Sequence, residues 1–357
     1  MQTKLKVENL KVAFQTPQGV AQAVRGVSFE LFEGETLALV GESGSGKSVT
    51  CKAALGILPN SAKITSGSIL YGGRDLTKLS EREMQGVRGA QISMVFQDPS
   101  ACLDPIVKIG KQIMEATLLK NRAARRRDKS VAKISKKQAK QRAVALMEEV
   151  GILEAEKRFK QYPFEISGGM RQRVVIAIAL AASPDLLICD EPTTALDVTI
   201  QAQILELIKG LKEERNLSVL FITHDLGVVA GVADRVAVLY AGQIVEYGTV
   251  EEIFYNPKHP YTQALLSSMP DLTTKGKLTA IPHSPPDPLS VIQGDAFALR
   301  NPKPLAIDFE RQPPYFKISE THFAATWTLH PYALKTELPE ALKKRIARMK
   351  RRSKKDE

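Results

Sequence analysis

The feature that most constrains this 357-residue chain is a glycine-rich loop between a predicted strand and a predicted helix. The loop reads GESGSGKS at 41–48, after an apolar run at 36–40 and before a helical segment at 49–58. It matches the phosphate-binding pattern G-x-x-x-x-G-K-[ST], in which glycines let backbone N–H groups turn toward a phosphate. We expect Lys47 to supply charge to the β- and γ-phosphates and Ser48 to ligate Mg²⁺. The sequence therefore predicts a nucleotide-binding α/β fold.

Three further apolar runs end in polar residues suited to nucleotide chemistry. LLICDE at 186–191 predicts a buried strand in which Asp190 holds Mg²⁺ and Glu191 orients and deprotonates an attacking water. His224 closes the run VLFITH and could contact the γ-phosphate, although a single histidine at a strand end is more often structural. Gln97, at the end of ISMVFQ, could reach Mg²⁺ and the attacking water through its carbonyl.

A second glycine-containing turn, ISGGMRQR at 166–173, leads into a helix predicted over 170–182. A helix start presents unpaired N–H groups and the positive end of the helix dipole, which suits a phosphate. This segment is therefore a second candidate anion site.

Strand and helix patterns alternate along most of the chain, which indicates a parallel α/β core. Short antiparallel strands are expected over 4–40, and residues from about 105 to 182 form a predicted inserted helical subdomain. Proline becomes frequent after residue 256, so we expect a loop-rich region there, closed by a basic helix from about Pro339. Strands are predicted at 36–40, 64–71, 92–96, 186–190, 219–223 and 236–240.

The sequence predicts no transmembrane helix. The longest apolar run has nine residues, at 174–182, where a transmembrane helix needs roughly 20. The N-terminus lacks the apolar core of a signal peptide, which predicts a cytosolic protein. Cys51, Cys102 and Cys189 fit no metal-binding spacing, and we expect all three to be buried free thiols.

Basic residues are concentrated in two segments. Residues 120–142 contain eleven Lys/Arg against one Asp, and residues 343–357 contain nine against two acids, so the rest of the chain is mildly acidic. Each segment could meet nucleic acid or an anionic membrane. A solvated helix face and a frayed tail are equally compatible with the pattern.

In order, GESGSGKS, VFQDP, ISGGMRQR, LLICDEPTTALD and ITHD resemble the nucleotide-binding domain of ATP-binding cassette (ABC) transporters. The resemblance covers about 4–255 and implies an ABC domain over 1–255. It implies a RecA-like P-loop NTPase core with an antiparallel β subdomain and an inserted α-helical subdomain. ABC domains have a signature segment that usually reads LSGGQ, and ISGGM is the corresponding segment here. Ile166 and Met170 therefore replace the usual Leu and Gln. Both flank the Ser-Gly-Gly that, by the resemblance, touches phosphate.

The resemblance also assigns site residues. Glu191, His224, Lys47 and Gln97 would be catalytic, and Ser48, Gln97 and Asp190 would hold Mg²⁺. The signature would bind the ATP of an opposing subunit through Ser167, Gly168 and Gly169, and Asp197 would lie at the dimer interface. Residues assigned to this chain's own ATP are Phe14, Gly41, Glu42, Ser43, Gly44, Ser45, Gly46, Lys47, Ser48, Val49 and Gln97. For Phe14, a core position is the simpler interpretation when that residue is taken alone.

Two segments, YPFEISGGMRQRV and HPYTQALLSSMP, are similar to ATPase subunits of oligopeptide and dipeptide importers. GESGSGKSV at the phosphate loop resembles the D-type subunit of an oligopeptide permease. This implies an importer-type C-terminal domain over 256–338 and a basic tail over 339–357. The implied partners are a second ATPase subunit, two transmembrane permease subunits and an extracellular peptide-binding protein, at the cytoplasmic face of the cell membrane. Import of dipeptides or nickel remains an alternative, and so does a soluble ABC ATPase associated with nucleic acid. The single phosphate loop and single signature disfavour the nucleic-acid-associated ATPase, so no nucleic acid is expected.

Members of that group often carry four cysteines that bind an iron–sulfur cluster. The matching positions here are Asp295, Asn301, Asp308 and Thr326. Because such clusters need thiolate ligands, we predict a protein without an iron–sulfur cluster.

Overall fold

Two β-sheets and the helices around them make up the computed structural model, which describes residues 2–194, 196–269, 281–334 and 337–356. The strands are β1 (Thr3–Thr16), β2 (Gly19–Phe32), β3 (Thr36–Val40), β4 (Ala62–Tyr71), β5 (Arg74–Asp75), β6 (Ile92–Val95), β7 (Leu186–Asp190), β8 (Ser218–Thr223), β9 (Arg235–Tyr240), β10 (Gln243–Thr249), β11 (Phe316–Lys317) and β12 (Phe323–Ala324). The helices are α1 (Lys47–Ala54), α2 (Glu81–Met84), α3 (Pro99–Cys102), α4 (Ile109–Arg127), α5 (Lys136–Glu149), α6 (Ala155–Arg158), α7 (Gly168–Leu180), α8 (Val198–Arg215), α9 (Leu226–Val232), α10 (Val250–Tyr255), α11 (Pro260–Ser268), α12 (Ala306–Glu310) and α13 (Glu340–Asp356). Among these described helices, none is long and apolar enough to span a membrane.

The larger sheet has the strand order β11-β12-β10-β9-β3-β8-β7-β6. Strands β6, β7, β8, β3 and β9 run parallel to one another. Every residue of β3, β7 and β8 is buried, as expected for parallel strands covered on both faces. The phosphate loop, Glu191, His224 and Gln97 all follow carboxyl ends of these strands, so they meet at one edge. The predicted RecA-like α/β core is confirmed.

The smaller sheet is antiparallel, in the order β2-β1-β4-β5. The expectation of short strands over 4–40 is wrong, because β1 and β2 are 14 residues each. Gly26 lies inside β2 at φ 107°. It is the extra residue of a β-bulge, since Leu10 pairs with Val27 and Lys11 with Arg25.

The helix after the phosphate loop differs from its predicted bounds of 49–58. It begins at Lys47, directly after Gly46, which has a left-handed backbone conformation. It ends at Ala54, before Pro59, because Gly56 adopts φ 61° and breaks the helical path.

The inserted helical subdomain contains α4, α5, α6 and α7. One apolar face of α5, with the residue after it, packs into the core, because Ala143, Leu146, Met147 and Val150 are all buried. The first basic segment comprises the end of α4, the connection 128–135 and the start of α5. It therefore projects from the end of a helix pair.

The C-terminal region packs directly on the core. Strand β12 pairs with β10, and Tyr261, Phe297 and Leu342 share one apolar cluster with the core strands. The second basic segment is helical rather than a frayed tail, because its residues up to Asp356 belong to α13. This helix buries Leu342 and Ile346. Positions 270–280, within the predicted loop-rich region, lie outside the described residues.

The three cysteines are free thiols, but only two are buried. Cys51 and Cys189 lie in the core, as predicted. The prediction for Cys102 is wrong because this residue ends the short surface helix α3, where its Sγ donates to the carbonyl of Asp98 at 3.1 Å.

Close packing between α4 and α6 gives a stability prediction at Gly110. A Cβ added there would lie 2.1 Å from the ring of Phe159, so we expect Gly110→Ala to lower the free energy of unfolding by about 1–3 kcal/mol. Gly210 in α8 has no atom within 4 Å of the corresponding position, so Gly210→Ala should instead be neutral or stabilising by up to about 1 kcal/mol. Chemical denaturation of both variants measures the difference; equal effects would contradict this packing.

Candidate functional site

The phosphate loop connects β3 to α1 at the carboxyl edge of the larger sheet. Its glycines are required by close backbone contacts. A Cβ at Gly41 would lie 2.1 Å from the carbonyl oxygen of Leu239, and a Cβ at Gly46 would lie 2.7 Å from that of Ala23. Gly46 also has φ 101°, which disfavours any side chain. The local sequence therefore forms a tight loop immediately before a helix N-terminus, as anion binding requires.

Lys47 lies inside this loop and is only 4% exposed. Its Nζ donates to the carbonyl oxygens of Gly41 at 2.7 Å and Glu42 at 2.9 Å. Burial lowers the pKa of Lys47, and the nearby carboxylates of Glu191 and Asp190 oppose that shift. The loop thus holds an amine next to both acids of the LLICDE motif.

Ser48 and Asp190 form the candidate magnesium site. The Ser48 hydroxyl donates to Asp190 Oδ1 at 2.7 Å, and Asp190 is 4% exposed. Burial raises the pKa of Asp190, and the Ser48 hydrogen bond partly offsets the rise. No group of three or more His, Cys, Asp or Glu that could hold a metal occurs within the described ranges. One hydroxyl and one carboxylate fit Mg²⁺, which keeps several waters and takes other ligands from substrate phosphates.

Glu191 is the centre of a polar cluster. Its Oε2 accepts from Gln97 Nε2 at 3.1 Å and lies 3.1 Å from His224 Nδ1. Glu191 itself has φ 48°, a conformation uncommon for a non-glycine residue, and its N–H donates to the carbonyl of Ile222 at 2.9 Å. The structure therefore brings together three residues that the sequence places on three separate strands.

Thr194 is a member of this cluster that sequence reasoning missed. Its hydroxyl donates to the same Glu191 Oε2 at 2.9 Å. The available signal was its position three residues after Glu191, in a turn that begins at Pro192. The magnesium role expected for Gln97 stays a prediction, since the contact observed for that side chain is with Glu191.

The signature residues occupy a different helix start. Ser167 caps α7 by accepting from the N–H of Met170 at 3.3 Å. A Cβ on Gly169 would lie 2.7 Å from Ile200, so this glycine allows α7 to approach α8. Asp197 caps α8 by accepting from the N–H of Ile200 at 3.0 Å. The signature and Asp197 thus form one packed unit, separate from the contacts of Lys47.

Phe14 and Val49, two residues assigned to ATP binding, are partly buried and pack against the core beneath the smaller sheet. Phe14 pairs with Ala21 near the end of the β1–β2 hairpin. This position is compatible with a core role and leaves part of the ring exposed for stacking, so its nucleotide role stays a prediction.

Comparisons with known proteins agree with this geometry. Residues 24–194 match the family model described as "ABC transporter", and residues 245–306 match "Oligopeptide/dipeptide transporter, C-terminal region". The chain is 58% identical to "Oligopeptide transport ATP-binding protein OppD" of Bacillus subtilis (strain 168), over 97% of this chain and 94% of that protein. The chain belongs to the ABC transporter ATP-binding proteins.

A second relative and a solved structure are also similar to this ABC ATPase. It is 56% identical to "Dipeptide transport ATP-binding protein DppD" of Lactococcus lactis subsp. cremoris (strain MG1363), over 97% of this chain and 96% of that protein. A solved structure titled "Dimeric structure of a post-hydrolysis state of the ATP-binding cassette MJ0796 bound to ADP and Pi" matches with a TM-score of 0.60 at 26% identity. It covers 69% of this chain and 98% of that chain. The fold is that of an ATP-hydrolysing cassette.

A groove of about 720 Å³ separates the helical subdomain of this ABC ATPase from its core. It is lined mainly by apolar side chains, including Ile57, Phe96, Leu119 and Ile178. Phe96 directly precedes Gln97, and Leu119 is 52% exposed. The groove therefore begins at the residue that directly precedes Gln97 and extends to the partly exposed Leu119.

Asp295, Asn301, Asp308 and Thr326, the four positions that the family resemblance aligned with cysteines, are buried oxygen-bearing residues. The side chains of Asp295, Asn301 and Asp308 accept from the backbone N–H groups of Phe297, Lys303 and Leu305. Thr326 accepts from the N–H of Thr328 at 3.4 Å. Each side chain is engaged in its own local turn, and none of the four is a thiolate. These residues do not fit an iron–sulfur cluster.

Proposed function

We propose that this chain is the subunit that binds and hydrolyses ATP to power oligopeptide uptake through an ABC importer. The observation that carries the proposal is the convergence of Gln97, Glu191 and His224 at the edge of the sheet that holds the phosphate loop. The identity of 58% to an oligopeptide transport ATP-binding protein, over nearly the whole chain, supports the substrate class.

In this proposal, Lys47 and the loop amides bind the phosphates of ATP. The loop carbonyls of Gly41 and Glu42 hold the ammonium in place before nucleotide arrives. Ser48 and Asp190 would hold Mg²⁺, which neutralises phosphate charge when it is bound. Burial of Asp190 favours this role, because a divalent cation stabilises the ionised form of a desolvated carboxylate.

Glu191 is the proposed general base. Its carboxylate would orient a water for attack on the γ-phosphorus and take up one of its protons as the bond to the leaving ADP oxygen breaks. Hydrogen bonds from Gln97 and Thr194 hold one carboxylate oxygen in place. His224, held against the same oxygen, would contact the γ-phosphate through its other ring nitrogen.

The proposed working unit is a pair of ATPase subunits. The start of α7 supplies N–H groups beside Gly168 and Gly169, which supports binding of an ATP held by the partner subunit. Asp197, at the adjacent helix start, would lie at the interface. In this arrangement the chain contributes two half-sites, and a second, different ATPase subunit completes both.

The groove between core and helical subdomain is the proposed binding site for a cytoplasmic segment of the permease subunits. Its apolar lining suits such a segment, and Phe96 connects it to Gln97. Closure of the two ATPase subunits around ATP would therefore move the groove, and the groove would move the permease segments bound in it. In this proposal the chain lies at the cytoplasmic face of the membrane, and an extracellular binding protein delivers the peptides. Binding of Mg²⁺ and the absence of an iron–sulfur cluster remain predictions.

The direct test is peptide uptake by cells that lack this subunit and receive it from a plasmid. We expect the wild-type chain to restore ATP-dependent uptake of a labelled tetrapeptide more strongly than that of a dipeptide or of nickel. Preferential restoration of dipeptide or nickel uptake would identify a different substrate, and restoration of none would contradict the importer proposal.

The groove is tested by Leu119→Glu. We expect this variant to lose co-purification of the permease subunits, and uptake with it, while its own ATP affinity is unchanged, because burying a carboxylate at a mainly apolar interface costs desolvation free energy. Leu153→Glu is the matched control, since Leu153 is 79% exposed in the same subdomain outside the groove. Normal co-purification of Leu119→Glu would show that the permeases bind elsewhere.

A further inference from the structure

The second residue of the phosphate loop is held by side chains from the far end of the chain. Arg300 donates to both carboxylate oxygens of Glu42, with Nη1 to Oε2 at 2.7 Å and Nη2 to Oε1 at 3.1 Å. Arg300 is 5% exposed, and its Nε donates to the carbonyl of Pro282 at 2.8 Å. A bidentate pair between a buried arginine and a partly buried carboxylate fixes geometry in a way that a fully solvated ion pair does not.

Two tyrosines complete the contacts. The N–H of Glu42 donates to the Tyr261 hydroxyl at 2.9 Å, and Arg300 donates to the Tyr240 hydroxyl at 3.2 Å. The two tyrosine rings pack together, with centroids 4.5 Å apart. We call Glu42, Tyr240, Tyr261 and Arg300 the Glu42 cluster. It holds the loop residue through both its side chain and its backbone.

The remaining backbone group of Glu42 faces the nucleotide machinery. Its carbonyl oxygen accepts from Lys47 Nζ at 2.9 Å and from the N–H of Ser45 at 3.2 Å. One residue therefore connects the C-terminal region to the lysine expected to bind phosphate. A shift of Glu42 would displace a hydrogen-bond partner of Lys47.

The neighbouring part of the loop is less constrained. Ser43 and Gly44 are exposed and line a cavity of about 310 Å³, closed on its other side by the segment around Pro285–Pro288. Gly44 has φ 79°, and a Cβ added there would meet no atom within 4 Å. Glu42 is thus a fixed point beside a stretch of loop that has room to move.

The C-terminal region has other attachments to the core, including the β10–β12 pairing and the packing of α11 against α13. The contacts of Arg300 with Glu42 are therefore not needed merely to attach the C-terminal region to the core. We propose that Arg300 is a positioning residue for ATP binding, which acts through Glu42 to keep the phosphate loop in its binding conformation. This inference rests on the nucleotide site proposed above.

The test compares ATP affinity and turnover in the full-length chain. We expect Arg300→Gln to raise the Kd for ATP about tenfold, as one lost charge-assisted pair implies. The assembled transporter should show a similar rise in KM for ATP, with kcat at saturating ATP within about twofold of wild type, since Arg300 lies outside the Glu191 cluster. Arg300→Lys should be intermediate, because lysine keeps the charge and loses the two-pronged geometry.

Glu42→Gln tests the same pair from the loop side and should raise KM similarly. The double variant Glu42→Gln/Arg300→Gln should be no weaker than the worse single variant by more than about twofold, because residues that act together give non-additive effects. Arg311→Gln is the matched control, an exposed arginine in the same region, and should bind ATP like wild type.

The outcomes separate the two proposals. Wild-type protein that fails to bind ATP would contradict the nucleotide site itself. Wild-type binding together with an unchanged ATP KM in Arg300→Gln would overturn the positioning role, whatever the change in melting temperature. If Arg300→Gln fails to fold, Arg300→Lys and Glu42→Gln decide, and an unchanged KM in both refutes the inference.

Discussion

Glu191→Gln is expected to abolish most ATP turnover while leaving ATP binding intact. Loss of a general base reduces such rates by about 10²–10⁴-fold. The amide preserves the size of the side chain and can still accept from Gln97 and Thr194, so the fold and the Lys47 loop should be unaffected. The measurement is phosphate release by the assembled transporter, alongside ATP affinity from calorimetry.

The variant should also accumulate the ATP-bound subunit pair, because closure would occur and hydrolysis would not reopen it. Glu206→Gln is the control, an exposed glutamate on α8 that should keep normal turnover. Near wild-type phosphate release by Glu191→Gln would remove Glu191 from the base role and leave His224 as the next residue to test.

The candidate site was largely predictable because its parts follow short buried strands. Apolar runs that end in Asp190, Glu191 and His224 identify strand ends, and parallel strands bring those ends to one edge. What the runs could not show is the shared acceptor, Glu191 Oε2, which depends on the left-handed conformation of Glu191. Thr194 was missed for the same reason.

Other features depend on contacts between distant residues and leave no local signal. Arg300 and Glu42 are 258 positions apart, and neither flanking sequence marks the pair. The addition of β11 and β12 to the larger sheet involves two-residue strands, too short for any alternating pattern. Gly26 shows a different limit, because a bulge and a turn can both place a glycine at positive φ and the sequence does not distinguish them.

Lys47→Met is expected to raise the Kd for ATP by at least about 100-fold. Lys47 is positioned to make charge-assisted hydrogen bonds to phosphate oxygens, each worth about 1.5–3 kcal/mol. Methionine retains the side-chain volume in the buried loop, which limits the loss of packing, although the carbonyls of Gly41 and Glu42 lose their donor. Calorimetric titration with ATP and Mg²⁺ measures the effect.

Lys63→Met is the control, since Lys63 is exposed on β4 of the smaller sheet. Its ATP affinity should equal that of wild type. Comparison with Glu191→Gln then separates two functions of the site, because Lys47→Met should lose binding and turnover together, whereas Glu191→Gln should lose turnover alone. ATP binding by Lys47→Met at wild-type affinity would mean that the loop amides and the helix dipole of α1 suffice, and that the buried ammonium stabilises the loop rather than the nucleotide.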